Sequence, residues 1–535
     1  MKTLKILSII LSISFIFNGC NDEEFFELQR PPEDPWLTPA EYERAAVSPY
    51  HYAFYSSWGG GWYMVDRVVF DIMTDIVYRI PGAGADYPID EVYERSTSLE
   101  LGRNNDSFRD GYRGIAVCNS GLDFYYAANR EPFPDASNAE KQNVHRIAGE
   151  LHFMRALAYF NHTVRNCPVP GNPAYNSLEI LPYRTSVSDI DAALNPEFVV
   201  TDTIYNLVID DLKAAKKLLP WQYTDIYHPS YQYGRANRFA AHAILARVYM
   251  RIGEYDLALA ETDTVLMMSE GYYNLSQDPI EVFNRSEPSI GEEVIFYALY
   301  YDEDLNNTPK DFTLLTLLDY RTINGGHGED FKRGFWHAFC MSYPVAMQIG
   351  WMEEDYSETE AALRDKRYQQ LYHRFEGYDI EANDDETFEQ KYPALTTPRL
   401  WCDKYYRAPD GRFGNVPVIR LAELYLNRAI LRYNNGNLQG AADDINVIRK
   451  RAWDQAVAGV VYEESDDFIT AANITEEIIE NERLKELMFE GDRLLYLQGL
   501  DKPIPPGERE VDAVPEPYPD FYWPVPQSEL DFSGE

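Results

Sequence analysis

The chain has 535 residues, 45% of them hydrophobic and 25% charged, with 48 Lys and Arg against 87 Asp and Glu, a formal charge of −39. That length allows three or four units of roughly 150 residues or one large domain with a long core, and the apolar content excludes a disordered or fibrous chain. The acidity excludes bulk nucleic-acid binding, which needs surplus Lys and Arg to displace phosphate counterions, and it disfavours electrostatic attachment to anionic lipid.

The chain opens as a secretion signal. Lys2 and Lys5 precede an apolar run, Leu7 to Phe17, that ends at Asn18-Gly19-Cys20. The run is about half of the ~20 residues a spanning helix needs, so residues 1–19 read as a cleaved signal peptide. Cys20 after Gly19 resembles a bacterial lipobox, which makes Cys20 the expected lipidation site and the first mature residue. An ordinary signal peptide with Cys20 left as a free thiol is the alternative. Residues 20–40 carry Asp22-Glu23-Glu24 and the Pro-rich stretch Arg30 to Pro35, the composition of an extended tether. The acyl chains of such a lipoprotein would hold it at the membrane, since each buried CH₂ contributes about 0.8 kcal/mol.

Residues 41–535 read as one mainly helical body. Periodicity predicts helices over Gly149 to Val164 and Thr475 to Leu497. Phe239, Ala243, Ala246 and Met250 fall on one helical face, as do Ile419, Ala422, Leu426, Ala429 and Tyr433. The step from Gly253 to Ala258 recurs from Gly436 to Ala441, the tetratricopeptide pattern of helix, short turn, helix with small residues at the contact. Residues 270–410 and 500–535 instead mix short β-like runs such as Val294 to Leu299 with long Gly-, Pro- and Asp-rich connections. Connections of that length in a compact fold are usually functional.

The ordered series of motifs resembles the SusD/RagB family of surface lipoproteins. Gly149-Glu150 through Arg155-Ala156 to Tyr159-Phe160, Asp210-Asp211-Leu212, Gly234-Arg235-Ala236, Arg247, Val416 to Leu426, Arg449 to Ala452, Glu482-Arg483, Glu486, Phe489-Glu490-Gly491, Arg493 and the ending Trp523 to Leu530 follow that family's order. Three places depart from it: Asn166-Cys167-Pro168, Asn427-Arg428, and Leu494-Leu495-Tyr496. The resemblance implies a SusD-like fold, with tetratricopeptide-type helix pairs as scaffold and long irregular loops. It also implies an outer-membrane, lipid-anchored position facing the cell exterior, and capture of oligo- or polysaccharide for a SusC-like TonB-dependent transporter. Its RagB branch implies the alternative, a lid that binds peptide or protein fragments. The matching Arg and Glu residues read as buried, paired charges that fix helix register.

Catalytic signatures are missing. The sequence holds no Gly-x-Ser-x-Gly, no Gly-x4-Gly-Lys, no His-Glu-x-x-His and no Cys-x-x-Cys, so no enzymatic activity, cofactor or metal is expected. The acidic cluster Asp379 to Glu386 lacks the Gly and terminal Glu of a Ca²⁺ loop and reads as solvated. Cys118, Cys167, Cys340 and Cys402 could pair in three ways or stay as buried thiols.

Binding is left to shape. The 41 Tyr are more than a core can use, because a buried phenol needs a hydrogen-bond partner, and this points to half-exposed aromatic surface. Sugars present apolar C–H faces and hydroxyl edges, which flat rings flanked by charged and amide groups can hold. The candidate ligand-binding residues are Trp58, Trp62 and Tyr63 around Gly59-Gly60-Gly61, with Tyr87, Tyr320 and Trp336 from later loops. Alternatively, one of the two Trp packs inward and the Gly run makes a tight turn.

Overall fold

The computed structural model describes residues 36–55, 61–79, 89–95, 102–170, 179–183, 197–283, 292–299, 339–375, 398–405, 415–518 and 521–530. The signal peptide, Cys20 and the acidic cluster at 379–386 lie outside them. The scaffold is a run of helices: α1 (Pro39–Phe54), α2 (Trp62–Ile72), α3 (Gly102–Ala127), α4 (Asn138–Asn166), α5 (Thr201–Leu218), α6 (Arg238–Arg251), α7 (Tyr255–Met268), α8 (Leu421–Asn434), α9 (Leu438–Ala452), α10 (Glu476–Leu487) and α11 (Arg493–Gly499). The last two residues assigned to the tether therefore belong to α1. No helix among the described residues is long and apolar enough to cross a membrane.

Helix starts follow capping chemistry. Thr38, Asn237, Asn437 and Thr475 each accept a backbone N–H from the first turn of α1, α6, α9 and α10. Ser137 and Glu140 close a reciprocal capping box at α4. From α3 to α9 each helix packs on the next, so the apolar stripe of one covers that of its neighbour and a single hydrophobic cluster runs from Tyr42 to Val525. The α6–α7 and α8–α9 pairs are the two repeats read from the sequence. Gly253 and Gly436 turn them at φ +77° and +76° with open space around each, so glycine is needed there for its backbone freedom. Ala258 and Ala441, five residues on, are fully buried.

Short antiparallel pairs join the helices: β1 (Val77–Arg79) with β5 (Phe339–Met341), β2 (Glu179–Tyr183) with β3 (Glu197–Val200), β4 (Val294–Ala298) with β8 (Val416–Arg420), and β6 (Tyr372–Phe375) with β7 (Arg399–Cys402). Strand β4 is buried along its whole length, which explains its unbroken apolar run. Cys118 and Cys167 are buried free thiols, and Cys340 and Cys402 are buried as well.

The helix expected over 475–497 is two helices. Between α10 and α11 the chain takes positive φ at Phe489 (+66°) and Gly491 (+75°). The break turns Glu490 inward to Arg420, and the Gly491 N–H donates to Asp71 Oδ2 at 2.9 Å. A Cβ on Gly491 would stand 2.8 Å from Arg67 Cγ, so only glycine fits.

That break completes a buried charge network. Arg420, at the end of β8, donates to Glu293 (2.9 Å), Glu486 (2.6 Å) and Glu490 (2.8 Å). Lys404 Nζ donates to Glu490 at 2.7 Å and to the Glu486 and Met488 carbonyls at 2.8 Å. Arg451 also pairs with Glu486, and Arg367 joins Glu486 (3.1 Å) to Glu482 (2.7 Å). Burial alone would raise these carboxyls, but Arg420 and Lys404 hold Glu490 down to about 2, and Arg367 and Arg449 do the same for Glu482.

Two stability predictions follow from these features. Gly253→Ala will cost about 1 kcal/mol, whereas Gly61→Ala will cost about 3 kcal/mol, because Gly61 (φ +86°) also places a Cβ 2.5 Å from the Ala53 carbonyl. Thermal unfolding of the two variants measures the gap. Arg420→Met will cost about 3–5 kcal/mol by leaving several buried carboxylates short of a partner. The depressed carboxyls contribute stability that is complete above the unfolded carboxyl range near pH 4. That stability drains as pH falls towards about 2. The Tm of the wild-type protein will fall over that interval, and its lead over Arg420→Met will narrow there, because the variant's carboxyls are less depressed and have less stability to lose.

Candidate ligand-binding site

The C-terminal half of α1, the segment 221–236 and the end of β4 meet at an aromatic surface. On the inner face of α1, Tyr50 and Phe54 pack against Phe296 of β4 with ring centres 6.1 and 5.9 Å apart. The helical period then turns His51, Tyr52 and Tyr55 outward: His51 is exposed, the two Tyr are half-buried, and His51 lies parallel to Tyr55. Beside Tyr50 of α1, a one-turn helix (Ser230–Gly234) carries Tyr231 and Tyr233, both half-buried. A Cβ on Gly234 would stand 2.3 Å from the Leu299 side chain just past β4, so a larger residue there would displace Leu299.

Two guanidinium groups organise the rings. Arg235 lies over Tyr50 (5.0 Å) and Tyr231 (4.8 Å) and pairs with Glu150 at 2.9 Å and Glu43 at 3.7 Å. Arg146 lies over Tyr227 and Tyr231, which stack at 5.5 Å, and it pairs with the same two carboxylates. Tyr231 OH donates to Glu43 at 3.1 Å and Tyr223 OH to Glu150 at 3.1 Å. Burial alone would raise the Glu150 carboxyl, but Arg235 and Arg146 outweigh it and the carboxyl stays charged. Burial, and then Glu150, push the Tyr50 and Tyr223 phenols up, so they remain neutral donors. The result is a set of flat, partly open rings edged by fixed charges, with no activated nucleophile among them.

The sequence-derived candidates divide into two groups. Trp62 and Tyr63 are not open platforms: they begin α2 and are 2% and 7% exposed, packed edge-to-face with each other at 5.8 Å. Packing at the tight approach of Gly61 to α1 turns Trp62 inward, as the alternative reading of that stretch allowed. Tyr63 borders an enclosed cavity of about 40 Å³ with Arg67, Arg247 and Glu423, a size that suits a few waters. Trp58, Tyr87, Tyr320 and Trp336 lie outside the described residues. Their flanking residues fall in two places. Tyr55, next to the segment holding Trp58, and Leu299, which precedes the one holding Tyr320, both belong to the aromatic surface. Arg79 pairs with Phe339, so the segments with Tyr87 and Trp336 leave from neighbouring strand ends. Sequence reasoning missed Tyr55, Tyr227, Tyr231 and Arg235 as ligand candidates. The signal available was the density of Tyr in 50–55 and 223–233.

A second cluster has the outline of a catalytic relay. Tyr126 OH meets His152 Nε2 at 2.8 Å, and His152 Nδ1 meets Asp211 at 2.6 Å. Arg155 already engages both oxygens of Asp211, at 2.7 and 2.8 Å, and burial raises rather than lowers the Tyr126 phenol. It is a structural tie between α3, α4 and α5. Among the described residues no group of three His, Cys, Asp or Glu is placed to hold a metal ion.

Two family models match the chain, one described as SusD family over residues 319–497 and one as starch-binding associating with outer membrane over residues 82–250. Similar solved structures span nearly all of it. A SusD superfamily protein from Bacteroides thetaiotaomicron aligns with a TM-score of 0.70 and 19% identity, covering 92% of this chain and 98% of that one. The chain belongs to the SusD/RagB family. Another SusD superfamily protein, from Bacteroides fragilis, aligns at 0.68 with 21% identity over 93% and 98% of the two chains. Surface glycan-binding protein A from Bacteroides thetaiotaomicron, solved in complex with laminarihexaose, aligns at 0.65 with 17% identity over 92% and 98%. No curated protein sequence matches the chain. At these identities the SusD fold is shared while individual ligand contacts are not transferable.

Arg235→Met will test the organisation of the surface. It leaves the fully buried Glu150 short of a cation and will cost about 2–3 kcal/mol at pH 7. Because the Glu150 carboxyl is held low in the folded protein, the gap in Tm between variant and wild type will narrow as pH falls and Glu150 takes up a proton.

Proposed function

We propose that the protein is a cell-surface glycan-binding lipoprotein. It is held at the outer membrane by acyl chains on Cys20, faces the exterior, and captures oligo- or polysaccharide for a SusC-like TonB-dependent transporter. The reading rests most on one observation. The half-buried rings of Tyr55, Tyr227 and Tyr231 sit beside the fixed guanidinium groups of Arg146 and Arg235, next to the ends of the segments that carry Trp58 and Tyr320. Such a surface suits a ligand with alternating apolar faces and hydroxyl edges. The family model described as starch-binding and the relative solved with laminarihexaose support a glycan, and the name of that model supports outer-membrane association. The protein acts by binding and handing over, with no bond made or broken.

Affinity electrophoresis of the protein lacking residues 1–20, through gels loaded with a panel of polysaccharides and proteins, tests this. At least one neutral glycan will retard the protein, and Trp58→Ala or Tyr231→Ala will weaken binding about tenfold, the equivalent of ~1.4 kcal/mol. Retardation unaffected by either change would move the site elsewhere on the same protein. No retardation by any glycan, with clear binding to peptides, would replace this reading with the RagB-like one.

A further inference from the structure

A second cavity lies away from the tyrosine surface, between a one-turn helix (Glu360–Leu363), α9 and α10. Its volume is about 60 Å³ and its lining includes Arg364, Arg367, Arg449, Trp453, Tyr462 and Lys485. One water needs roughly 10–15 Å³ of such space, so the cleft has room for a small polyatomic group. The mouth is open: the Arg364 and Asp467 side chains at its rim are 30% and 37% exposed.

The charges inside do not cancel pairwise. Asp365 is held by Arg367 at 2.8 Å, Glu482 by Arg367 and Arg449 at 2.7 Å each, and Asp467 by Arg364 at 2.6 Å. Every carboxylate lining the cleft thus has a guanidinium. Lys485, on the same wall, makes no hydrogen bond or ion pair with any described residue. Burial lowers its pKa, which Glu482 and Asp365 oppose and Arg367 and Arg449 reinforce, as expected for an ammonium short of a direct partner. The aromatic groups do not fill that role. Trp453 Nε1 donates to the Val460 carbonyl at 2.9 Å and Tyr462 OH to Asn446 at 2.7 Å, so their rings act as walls. Arg364 lies over the Trp453 ring at 5.1 Å, which keeps its guanidinium at the mouth.

We propose that this cleft binds a small oxyanion, a sulfate or a carboxylate, with Lys485 as principal ligand and Arg364 and Arg449 flanking it. On a chain of net charge −39 a general attraction for anions is absent, so the selection is local and depends on one group entering one cleft. The oxyanion can be a free inorganic ion or the acidic substituent of a sugar, and the two are separable.

The test follows the Tm of the mature chain at pH 7 while sodium sulfate, and separately sodium glucuronate, replaces sodium chloride at constant ionic strength. A saturable rise of about 1–2 °C with either oxyanion is expected, and the one that half-saturates at lower concentration identifies the source. Lys485→Met will abolish the rise. A readout that does not depend on that variant folding is reductive methylation of the wild-type protein followed by peptide mass spectrometry. Methylation of Lys485 will slow several-fold in the presence of the oxyanion, while methylation of the exposed Lys217 will not change. A rise that never saturates, a rise that persists in Lys485→Met, or Lys485 methylation indifferent to both anions would overturn the proposal.

Discussion

The fold depends on what surrounds Arg420. Its guanidinium sits in the core and ties Glu293, before β4, to Glu486 and Glu490 at the broken end of α10. Removing this many charges from water is costly, and their mutual attraction offsets that cost only when every partner is in place. The network is therefore an all-or-none constraint on geometry. The β4–β8 pair, the α10–α11 break and α9 must all be correctly positioned, or several ions stay buried without a counter-charge. Hydrophobic packing between helices tolerates small rotations; bidentate Arg–carboxylate contacts do not. In an acidic protein with abundant carboxylates, the scarce Arg and Lys are concentrated where register has to be fixed.

The same logic reaches the tyrosine surface. Glu150 on α4 and Arg235 beyond the Ser230–Gly234 turn are more than eighty residues apart in sequence, with an N···O separation of 2.9 Å. Both belong to motifs recognised in the sequence as paired, buried charges, and that reading was right about the pairing. It could not show that the far face of Arg235 supports Tyr231 and Tyr50, because a cation–π contact leaves no spacing in a sequence. One guanidinium thus ties the helices through its ion pairs and supports the rings through its face.

Much of the scaffold was legible. The Gly253 and Gly436 turns, the buried Ala258 and Ala441, and the apolar run of β4 follow from local rules of period and backbone freedom. What was not legible depends on distant partners. The helical pattern through 488–492 is continuous in sequence and broken in space, because Glu490 and Gly491 answer to Arg420, Arg67 and Asp71 rather than to their own helix. Trp62 reads as a platform beside glycines until Gly61 is seen pressed against α1. The departures from the family pattern also acquire reasons. Asn427 accepts from Arg483 at 2.8 Å, Leu494 is buried in the core, and Asn166 donates to the carbonyl of Trp523 at 3.1 Å.

That last contact has a consequence for the order in which the chain can fold. Trp523 N–H donates in turn to the Arg165 carbonyl, and Arg493, 418 residues beyond Asp75, makes a bidentate pair with it. The first third of the protein is therefore finished only by its last fifty residues. Until these emerge, Asp71 and Asp75 lack the partners that make their burial tolerable, and closing so long a loop is slow. A chain built this way can close its first third only once its final segment is present.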